Sequence, residues 1–372
     1  MSASRKVVLI TNAYAPYRVP GWESLARMVD QLDIILLTER EDHRLWNMKH
    51  SQDYALHILH TRRVHVPWLN ANFYSGGRII STIEELNPTH IILTGFHHLQ
   101  FLEVIVFARF HQIPLVQWYE SHARSSRFSR GVIRAARKAV LRQADAWIAP
   151  GQMTRDYFES MGIPAGRIVN APSVVDTAIF GQEKIAKRSG RARFLYVGRF
   201  IPAKGLGILM DAFPKLPAES AMLRLVGYGD LEDQLRELAE PLENVDVCPP
   251  TTSPEETARH YAWADVLVFP TFNDTWGLVV NEALATGCYV ISSAYAGVTP
   301  DLVLQAPLEA GRMVDPYEGV DRLFEAMKET VDSIDRIRAQ RQAIRQWGLR
   351  FTPEKWAEAV LRALRISSQK AG

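Results

Sequence analysis

The 372-residue chain has little cysteine, almost no net charge and no long apolar run. Its two cysteines, Cys248 and Cys288, lack Cys-x-x-Cys or Cys/His spacing, so neither a disulfide framework nor a zinc site is indicated, and a reducing cytoplasm fits best. The 43 Lys and Arg residues nearly balance the 41 Asp and Glu residues, and the net charge of +2 does not select nucleic acid as the main partner. No stretch approaches the roughly 18 to 20 apolar residues that cross a bilayer, which leaves a soluble or peripheral protein.

Several well-known motifs are missing as well. The first strand leads into NAYAPYR instead of Gly-x-Gly-x-x-Gly, which disfavours an NAD-dependent dehydrogenase. No Walker A loop occurs, and the absence of Asp-x-Asp argues against a donor site bridged by a metal ion. The chain shows no tandem repeat of about 20 to 50 residues, so a solenoid is excluded.

Short β-rich runs alternate with amphipathic stretches of helical length along the chain, which predicts an α/β fold with parallel sheets. Strand candidates from Lys6 to Asn170 are followed by a second series that begins near Arg193. A linker rich in small, polar and basic residues separates the two series, and we place the domain boundary near residue 185. The tail FTPEKWAEAVLRALRI predicts a final helix with Thr352 as its N-cap. We therefore expect two doubly wound domains facing each other across a cleft, with ligands bound beyond the carboxyl ends of the strands.

The strongest functional signal is the segment FPTFNDTWGLVVNEALATG. A strand ends at Phe269 and a helix begins near Gly277, so backbone N–H groups around Gly277 and Leu278 are expected to bind an anion. Asp274 lies on the loop and Glu282 on the first turns of the helix, where one acid can meet a sugar and the other the ribose of the same nucleotide sugar. An N-cap role for Asp274 and a solvated position for Glu282 remain the alternatives.

Two further strand ends carry glycines and cations. In FLYVGRFIPAKGLGILMDAF, Gly198 allows close backbone approach, and Arg199 and Lys204 place two cations on one loop, an arrangement suited to a diphosphate. Two solvated basic residues are the alternative. In LRLVGYGD, Gly227 and Gly229 end a strand and could let a nucleobase or phosphate approach, although a lone Gly-x-Gly is a weak signal.

In this order and at these separations the three loops resemble those of glycosyltransferase family 4, retaining enzymes of the GT-B fold. The VGR...KG loop, the GxG strand end and the segment with two acids separated by seven residues correspond to VGRFIPAKG, VGYGD and PTFNDTWGLVVNEALATG. The resemblance implies a Rossmann-like acceptor domain over residues 1–185 and a nucleotide-sugar domain over residues 186–351. It also implies that the helix over residues 352–372 crosses back to the N-terminal domain.

The resemblance further implies the roles of individual side chains. Arg199 and Lys204 would bind the donor diphosphate, Asp274 the sugar hydroxyls and Glu282 the ribose hydroxyls. The first acid of the pair is usually Glu, and Thr275 replaces the usual Gly, so both departures alter the sugar pocket and leave the donor open. The implied reaction is transfer, with retained configuration, of a sugar from a nucleotide diphosphate to a saccharide, lipid-linked or small-molecule acceptor, without cofactor or metal ion. A nucleotide-sugar 2-epimerase and a non-catalytic nucleotide-sugar sensor are the alternatives, and a cofactor-dependent phosphorylase is disfavoured.

The N-terminal half matches the family more loosely. Arg18 follows the first strand and is a candidate for phosphate or acceptor contact, with a surface salt bridge as the alternative. Glu120 and His122 follow a later strand, where family members often place a His that meets the donor sugar, and either could enter the site. For His97 and His98, a plain surface or helix-cap position is the better interpretation.

One stretch of the chain is strongly basic. Arg124–Arg142 carries seven cations and no acid, and a helix there could rest on anionic lipid, with a solvated outer helix as the alternative. Such contact would make a cytoplasmic protein peripheral at the inner membrane face. Acceptor choice is expected to reside in the loops Glu39–His50 and Trp68–Gly77.

Overall fold

The computed structural model describes residues 4–39, 51–59, 61–66, 71–95, 98–125, 131–182 and 189–369. The chain forms two compact units, the first from residues 1–150, 154–174 and 353–372 and the second from residues 151–153 and 175–352. The division after Val174 differs from the expected boundary near residue 185, which lies outside the described residues. The end of the chain groups with the first unit.

Parallel strands form the centre of the first unit, and most of their residues are buried on both faces. In the described part of the chain its strands are β1 (Lys6–Thr11), β2 (Gln31–Leu36), β3 (Ala55–Ile58), β4 (Arg62–Val66), β5 (Ala71–Ser75), β6 (His90–Leu93), β7 (Leu115–Trp118), β8 (Ala146–Ala149) and β9 (Ile168–Asn170). The sheet has the order β3-β2-β1-β6-β7-β8-β9, while β4 and β5 form a separate antiparallel pair. The strand order therefore changes direction between β1 and β6.

The helices in this half of the chain are α1 (Val19–Ala26), α2 (Ile79–Leu86), α3 (Leu99–Phe110), α4 (Gly131–Leu141) and α5 (Gln152–Ser160). Right-handed crossovers that step in the same direction from β6 through β9 place α3, α4 and α5 on one face of the sheet. A single buried cluster that includes Phe101, Leu141 and Phe158 from these helices agrees with this placement.

The second unit repeats the plan around another parallel sheet. Its described strands are β10 (Ala192–Arg199), β11 (Ala221–Tyr228), β12 (Val245–Cys248), β13 (Val266–Phe269), β14 (Tyr289–Ser293) and β15 (Gly311–Val314). The sheet order is β12-β11-β10-β13-β14-β15, so the direction changes between β10 and β13. Ligands of doubly wound sheets bind beyond the carboxyl ends of the strands at this switch point. The helices are α6 (Thr177–Phe180), α7 (Leu206–Ala212), α8 (Glu232–Ala239), α9 (Pro254–Trp263), α10 (Leu278–Ala285), α11 (Val320–Asp332) and α12 (Ile334–Gly348).

The final helix α13 (Pro353–Ser368) packs on the first unit. Its Trp356 is buried, and the ring centroid lies 5.1 Å from that of Trp118 on β7. On α1, a Cβ added to Gly21 would come within 2.9 Å of the Trp356 ring, so a glycine is needed for the two helices to approach this closely.

The two predicted series of parallel strands are confirmed, in both halves of the chain. The pair β4 and β5 was not predicted. Each strand is short and mixes polar with apolar residues, unlike the apolar runs that alternate with helical stretches along the rest of the chain. The segment Trp68–Gly77, expected to be a loop, in fact contains β5, and residues 67–70 lie outside the described part of the chain.

Candidate functional site

The first two predicted cations lie at the end of β10 and in the loop that follows it. Arg199 is the last residue of the strand and is exposed, while its carbonyl oxygen accepts a hydrogen bond of 2.9 Å from the Tyr196 hydroxyl. Lys204 ends a short 3₁₀ turn, and Gly205, with φ of 73°, starts α7. A Cβ at position 205 would lie 2.0 Å from the Pro270 carbonyl oxygen, so this glycine lets the loop after β10 contact the loop after β13.

Two predicted site residues meet at this switch point. The Lys204 ammonium lies 2.5 Å from Oδ2 of Asp274, and both side chains are mostly buried, with 14% and 21% exposure. The second carboxylate oxygen of Asp274 accepts a hydrogen bond of 3.1 Å from the backbone N–H of Trp276. Asp274 therefore does not cap α10 directly, because that position belongs to Gly277. It is a fixed anion held between Lys204 and the turn that leads into the helix.

Helix α10 begins at Leu278, close to the start expected at Gly277. Gly277 has φ of 109°, and a Cβ there would lie 2.8 Å from the Phe269 ring. The glycine is therefore needed for the sharp turn over the end of β13. The turn brings Asp274 and the first N–H groups of α10 to the carboxyl end of the sheet, as the sequence predicts.

Glu282 lies one and a half turns into α10 and is only partly accessible. Its Oε2 accepts a hydrogen bond of 2.7 Å from the hydroxyl of Tyr261, a fully buried residue of α9. Burial raises the pKa of the Glu282 carboxyl to about 7, against the lowering effect of the Tyr261 hydrogen bond. The carboxyl is thus neither a solvated face residue nor fully ionised at neutral pH, and the sequence contains no signal for its tyrosine partner.

The glycine pair at the end of β11, with Gly227 in the strand and Gly229 just after it, has a clear packing role. A Cβ at Gly227 would lie 1.9 Å from the carbonyl oxygen of Gly198, and one at Gly229 would lie 2.5 Å from that of Phe200. Phe200 also donates its backbone N–H to the Tyr228 carbonyl oxygen at 2.7 Å. The glycines therefore allow the loops after β10 and β11 to pack against each other.

The first unit brings three of its predicted residues to the carboxyl end of its own sheet. Arg18 donates to Thr11 at 2.8 Å and to Glu120 at 3.2 Å, and its guanidinium lies 5.1 Å from the centroid of the Trp118 ring. His122 follows in a turn closed by Ser125 and is fully buried. Arg18 and Glu120 thus form a partly exposed ion pair, and His122 lies beneath the surface.

The two histidines before α3 are only partly described. His98 occupies the N-cap position of α3, as expected, but makes no side-chain cap there. The expectation of a surface position is wrong, because His98 is 2% exposed and packs edge-on against Tyr74 and Phe101. His97 lies outside the described residues.

The basic stretch includes α4, as predicted, and its cations contact α5. Arg134 donates to the Ser160 carbonyl oxygen at 3.1 Å, and Arg137 donates to the Tyr157 hydroxyl at 2.9 Å. The apolar residues Val132 and Ile133 of this helix are 84% and 47% exposed. Among the described residues, no helix is long and apolar enough to span a membrane.

Solved structures with the same architecture identify the fold. A glycosyltransferase of Rickettsia africae superposes with a TM-score of 0.73 over 99% of this chain and 100% of that chain, at 12% identity. HepE of Anabaena, solved in complex with UDP and glucose, superposes with a TM-score of 0.70 over 97% and 99% of the two chains, at 16% identity. The protein therefore has the GT-B fold, with two Rossmann-like units.

Sequence comparison identifies the family. Residues 23–179 match the family model described as Glycosyltransferase Family 4, and residues 191–334 match the one described as Glycosyl transferases group 1. The chain belongs to glycosyltransferase family 4.

Two curated relatives each align with about three fifths of this chain. D-inositol 3-phosphate glycosyltransferase 1 of Catenulispora acidiphila is 31% identical over 256 residues, which are 62% of this chain and 59% of that protein. The GDP-mannose-dependent alpha-(1-6)-phosphatidylinositol monomannoside mannosyltransferase of Mycolicibacterium smegmatis is 28% identical over 238 residues, 59% and 61% of the two chains. The chain thus aligns with about three fifths of the length of these relatives.

Proposed function

We propose that the protein is a retaining glycosyltransferase that moves a sugar from a nucleotide diphosphate to a saccharide, lipid-linked or small-molecule acceptor. The observation that carries the proposal is the meeting of Lys204 with Asp274 at the switch point between β10 and β13. Family membership supports it, and so do the names of the relatives, which include a D-inositol 3-phosphate glycosyltransferase and a GDP-mannose-dependent transferase. HepE, of the same fold, binds UDP and glucose.

In the proposed reaction the bond from the anomeric carbon to the diphosphate oxygen breaks. Positive charge develops on the sugar and negative charge on the departing phosphate, so fixed donors at the phosphate lower the barrier most. Arg199, Lys204 and the N–H groups of Gly277 and Leu278 are the proposed donors. An acceptor hydroxyl then bonds to the anomeric carbon on the same face, and its proton goes to the departing phosphate, so no side-chain base is required.

Asp274 and Glu282 are assigned to the donor's hydroxyls. Asp274 is held by Lys204, so a diphosphate that binds the same ammonium lies next to an acid that can accept from the sugar. Glu282 is assigned to the ribose. Gly198, Gly227 and Gly229 let the loops after β10 and β11 approach the nucleotide. In the first unit, Arg18 is the proposed acceptor or phosphate contact, with Glu120 and His122 as candidates near the reacting sugar.

Thermal unfolding in the presence of UDP-, GDP- and ADP-sugars tests the proposal. A donor at 100 times its dissociation constant should add about 2.7 kcal/mol to the free energy of unfolding. The donor found in this way is then incubated with candidate acceptors in buffer that contains EDTA, since neither metal ion nor cofactor is expected. Formation of a glycosylated product supports transfer. Donor consumed without acceptor indicates a 2-epimerase, and donor that binds but stays intact with every acceptor tried indicates a sensor.

We also propose that the protein contacts anionic membrane through the basic stretch Arg124–Arg142. The outward positions of α4 are apolar, as the exposure of Val132 shows, while Arg134 and Arg137 flank them. Neighbouring α3 presents an exposed stripe on the same side of the sheet, in which Phe110 is 81% exposed. Apolar side chains that enter the lipid between cations are typical of peripheral membrane surfaces.

Sedimentation with vesicles of phosphatidylcholine, with and without phosphatidylglycerol, tests this contact. Neutralising Arg134, Arg137 and Lys138 should remove binding to the anionic vesicles, since each cation contributes up to about 1 kcal/mol near such a surface. Neutralising three exposed cations of the second unit, Lys215, Arg322 and Lys328, is the matched control. Equal binding by both triple variants would end the proposal.

A further inference from the structure

The carboxyl of Glu282 has a single hydrogen-bond partner in the described part of the chain, the hydroxyl of Tyr261, and that residue is rigidly held. The Tyr261 ring is fully buried and packs edge-on against Phe180, with the two centroids 6.0 Å apart. At its backbone, the Tyr261 carbonyl oxygen accepts from the Cys288 thiol at 3.1 Å and from the Ala264 N–H at 3.0 Å. Because the backbone of Tyr261 is hydrogen-bonded and its ring is tightly packed, the position of its hydroxyl is fixed.

We propose that Tyr261 is a positioning residue, whose hydroxyl holds Oε2 of Glu282 so that Oε1 is aimed at a ribose hydroxyl of the bound nucleotide. The inference rests on the proposed function, because it takes the nucleotide diphosphate as the ligand. A glutamate with a free terminal torsion would lose side-chain entropy when it binds, and a carboxylate already fixed at one oxygen avoids part of that cost.

The electrostatic setting of Glu282 agrees with this role. Burial favours the neutral carboxyl, and the hydrogen bond from Tyr261 favours the carboxylate that accepts best from a hydroxyl. Among the described residues, Tyr196 and Cys288 also lie near the pair, and both act to raise the pKa of the Tyr261 hydroxyl. Removing the Tyr261 hydroxyl should therefore raise the pKa of Glu282 further, so that acidification begins to weaken nucleotide binding at a higher pH than in the wild-type protein.

The test compares Tyr261→Phe with the wild-type protein in binding ribose and deoxyribose forms of one nucleotide. Calorimetry first finds which of UDP, GDP and ADP the wild-type protein binds, and then measures its 2′-deoxy and 3′-deoxy forms. The wild-type protein should lose about tenfold or more in affinity for one deoxy form, as expected for a hydrogen bond to a charged group. In Tyr261→Phe this discrimination should shrink to within about threefold, because the ribose hydroxyl then meets a poorly oriented carboxyl.

Tyr289→Phe provides a matched control. Tyr289 is also buried in the second unit and donates to a glutamate, Glu309, at 3.0 Å. It should keep the wild-type discrimination. The pH dependence of nucleotide affinity adds a second readout, in which the loss of binding on acidification moves to higher pH for Tyr261→Phe only.

The outcomes separate the inference from the proposed function. If none of the three diphosphates binds the wild-type protein, the proposed function fails together with this inference. If binding is intact but Tyr261→Phe, folded as judged by circular dichroism, keeps the wild-type discrimination and pH profile, the positioning role alone is wrong. Should Tyr261→Phe not fold, Glu282→Gln measured with the same nucleotides decides, since unchanged discrimination there contradicts any ribose contact by Glu282.

Discussion

The ammonium of Lys204 lies 2.5 Å from the carboxylate of Asp274. The two residues come from loops that follow different strands, and Gly205 allows those loops to touch. The cation assigned to the diphosphate thus already holds the acid assigned to the sugar. A bound donor would share Lys204 with Asp274, so the phosphate and sugar contacts are expected to depend on one another.

Lys204→Ala should reduce transfer by about a hundredfold or more, because it removes a fixed cation from the oxygen that gains charge in the transition state. Lys215→Ala is the control, since Lys215 also pairs with an aspartate of the second unit, Asp321, at 2.6 Å, but at the surface. Initial rates at saturating donor compare the variants. Near wild-type turnover by Lys204→Ala would remove the phosphate assignment.

The Lys204 and Asp274 side chains should be coupled in stability without any ligand. A double-mutant cycle with Lys204→Met and Asp274→Asn, followed by urea unfolding, should give a coupling free energy of about 1 kcal/mol, because both groups are mostly shielded from water. Additive effects of the two substitutions would show that the pair contributes nothing to the free protein.

Glu282→Gln should change how stability depends on pH. The folded-state pKa of Glu282 is raised from 4.5 to about 7, so the folded protein binds the proton more tightly than the unfolded chain. The stability associated with the protonated group is fully present below about pH 4.5 and is lost as pH rises through 7, by up to about 3 kcal/mol. Urea unfolding from pH 5 to pH 8 should show this decrease in the wild-type protein and a smaller one in Glu282→Gln. Parallel curves would mean that Glu282 is not buried.

Gly227→Ala should destabilise the second unit by about 3 kcal/mol or more, because the new Cβ would lie 1.9 Å from the Gly198 carbonyl oxygen. Gly207→Ala is the control. Gly207 lies within α7, and a Cβ there meets no atom within 4 Å, so this substitution should be neutral or slightly stabilising. Equal thermal midpoints for the two variants would contradict the packing role of Gly227.

Much of the fold could be predicted because it depends on local patterns. The strand that ends at Arg199 and the helix that begins at Leu278 are marked by apolar runs and glycines, and both lie where expected. Their meeting at one sheet edge follows from the topology of parallel sheets. The contact between Lys204 and Asp274 does not follow from these patterns alone, because it depends on how the two loops are placed in three dimensions.

Other features could not be predicted because they depend on distant packing. Tyr261 stands 21 residues before Glu282, in the last turn of an ordinary amphipathic helix, and nothing in that helix indicates that its hydroxyl meets a carboxylate. The burial of His98 likewise follows from Tyr74 on the unpredicted strand β5. The outward direction of Val132 depends on which face of α4 meets the sheet, and the spacing of residues does not decide this.

The central claim is that the loops of the second unit bind a pyrophosphate, and nucleotide calorimetry tests it most directly. Affinities of UDP, GDP and ADP are measured beside those of UMP, GMP and AMP for the wild-type protein, Arg199→Ala and Lys204→Ala. We expect one diphosphate to bind the wild-type protein about a hundredfold more tightly than its monophosphate, and each variant to lose about tenfold for the diphosphate alone. Equal affinity for monophosphate and diphosphate, or variants that bind the diphosphate as the wild-type protein does, would contradict the account.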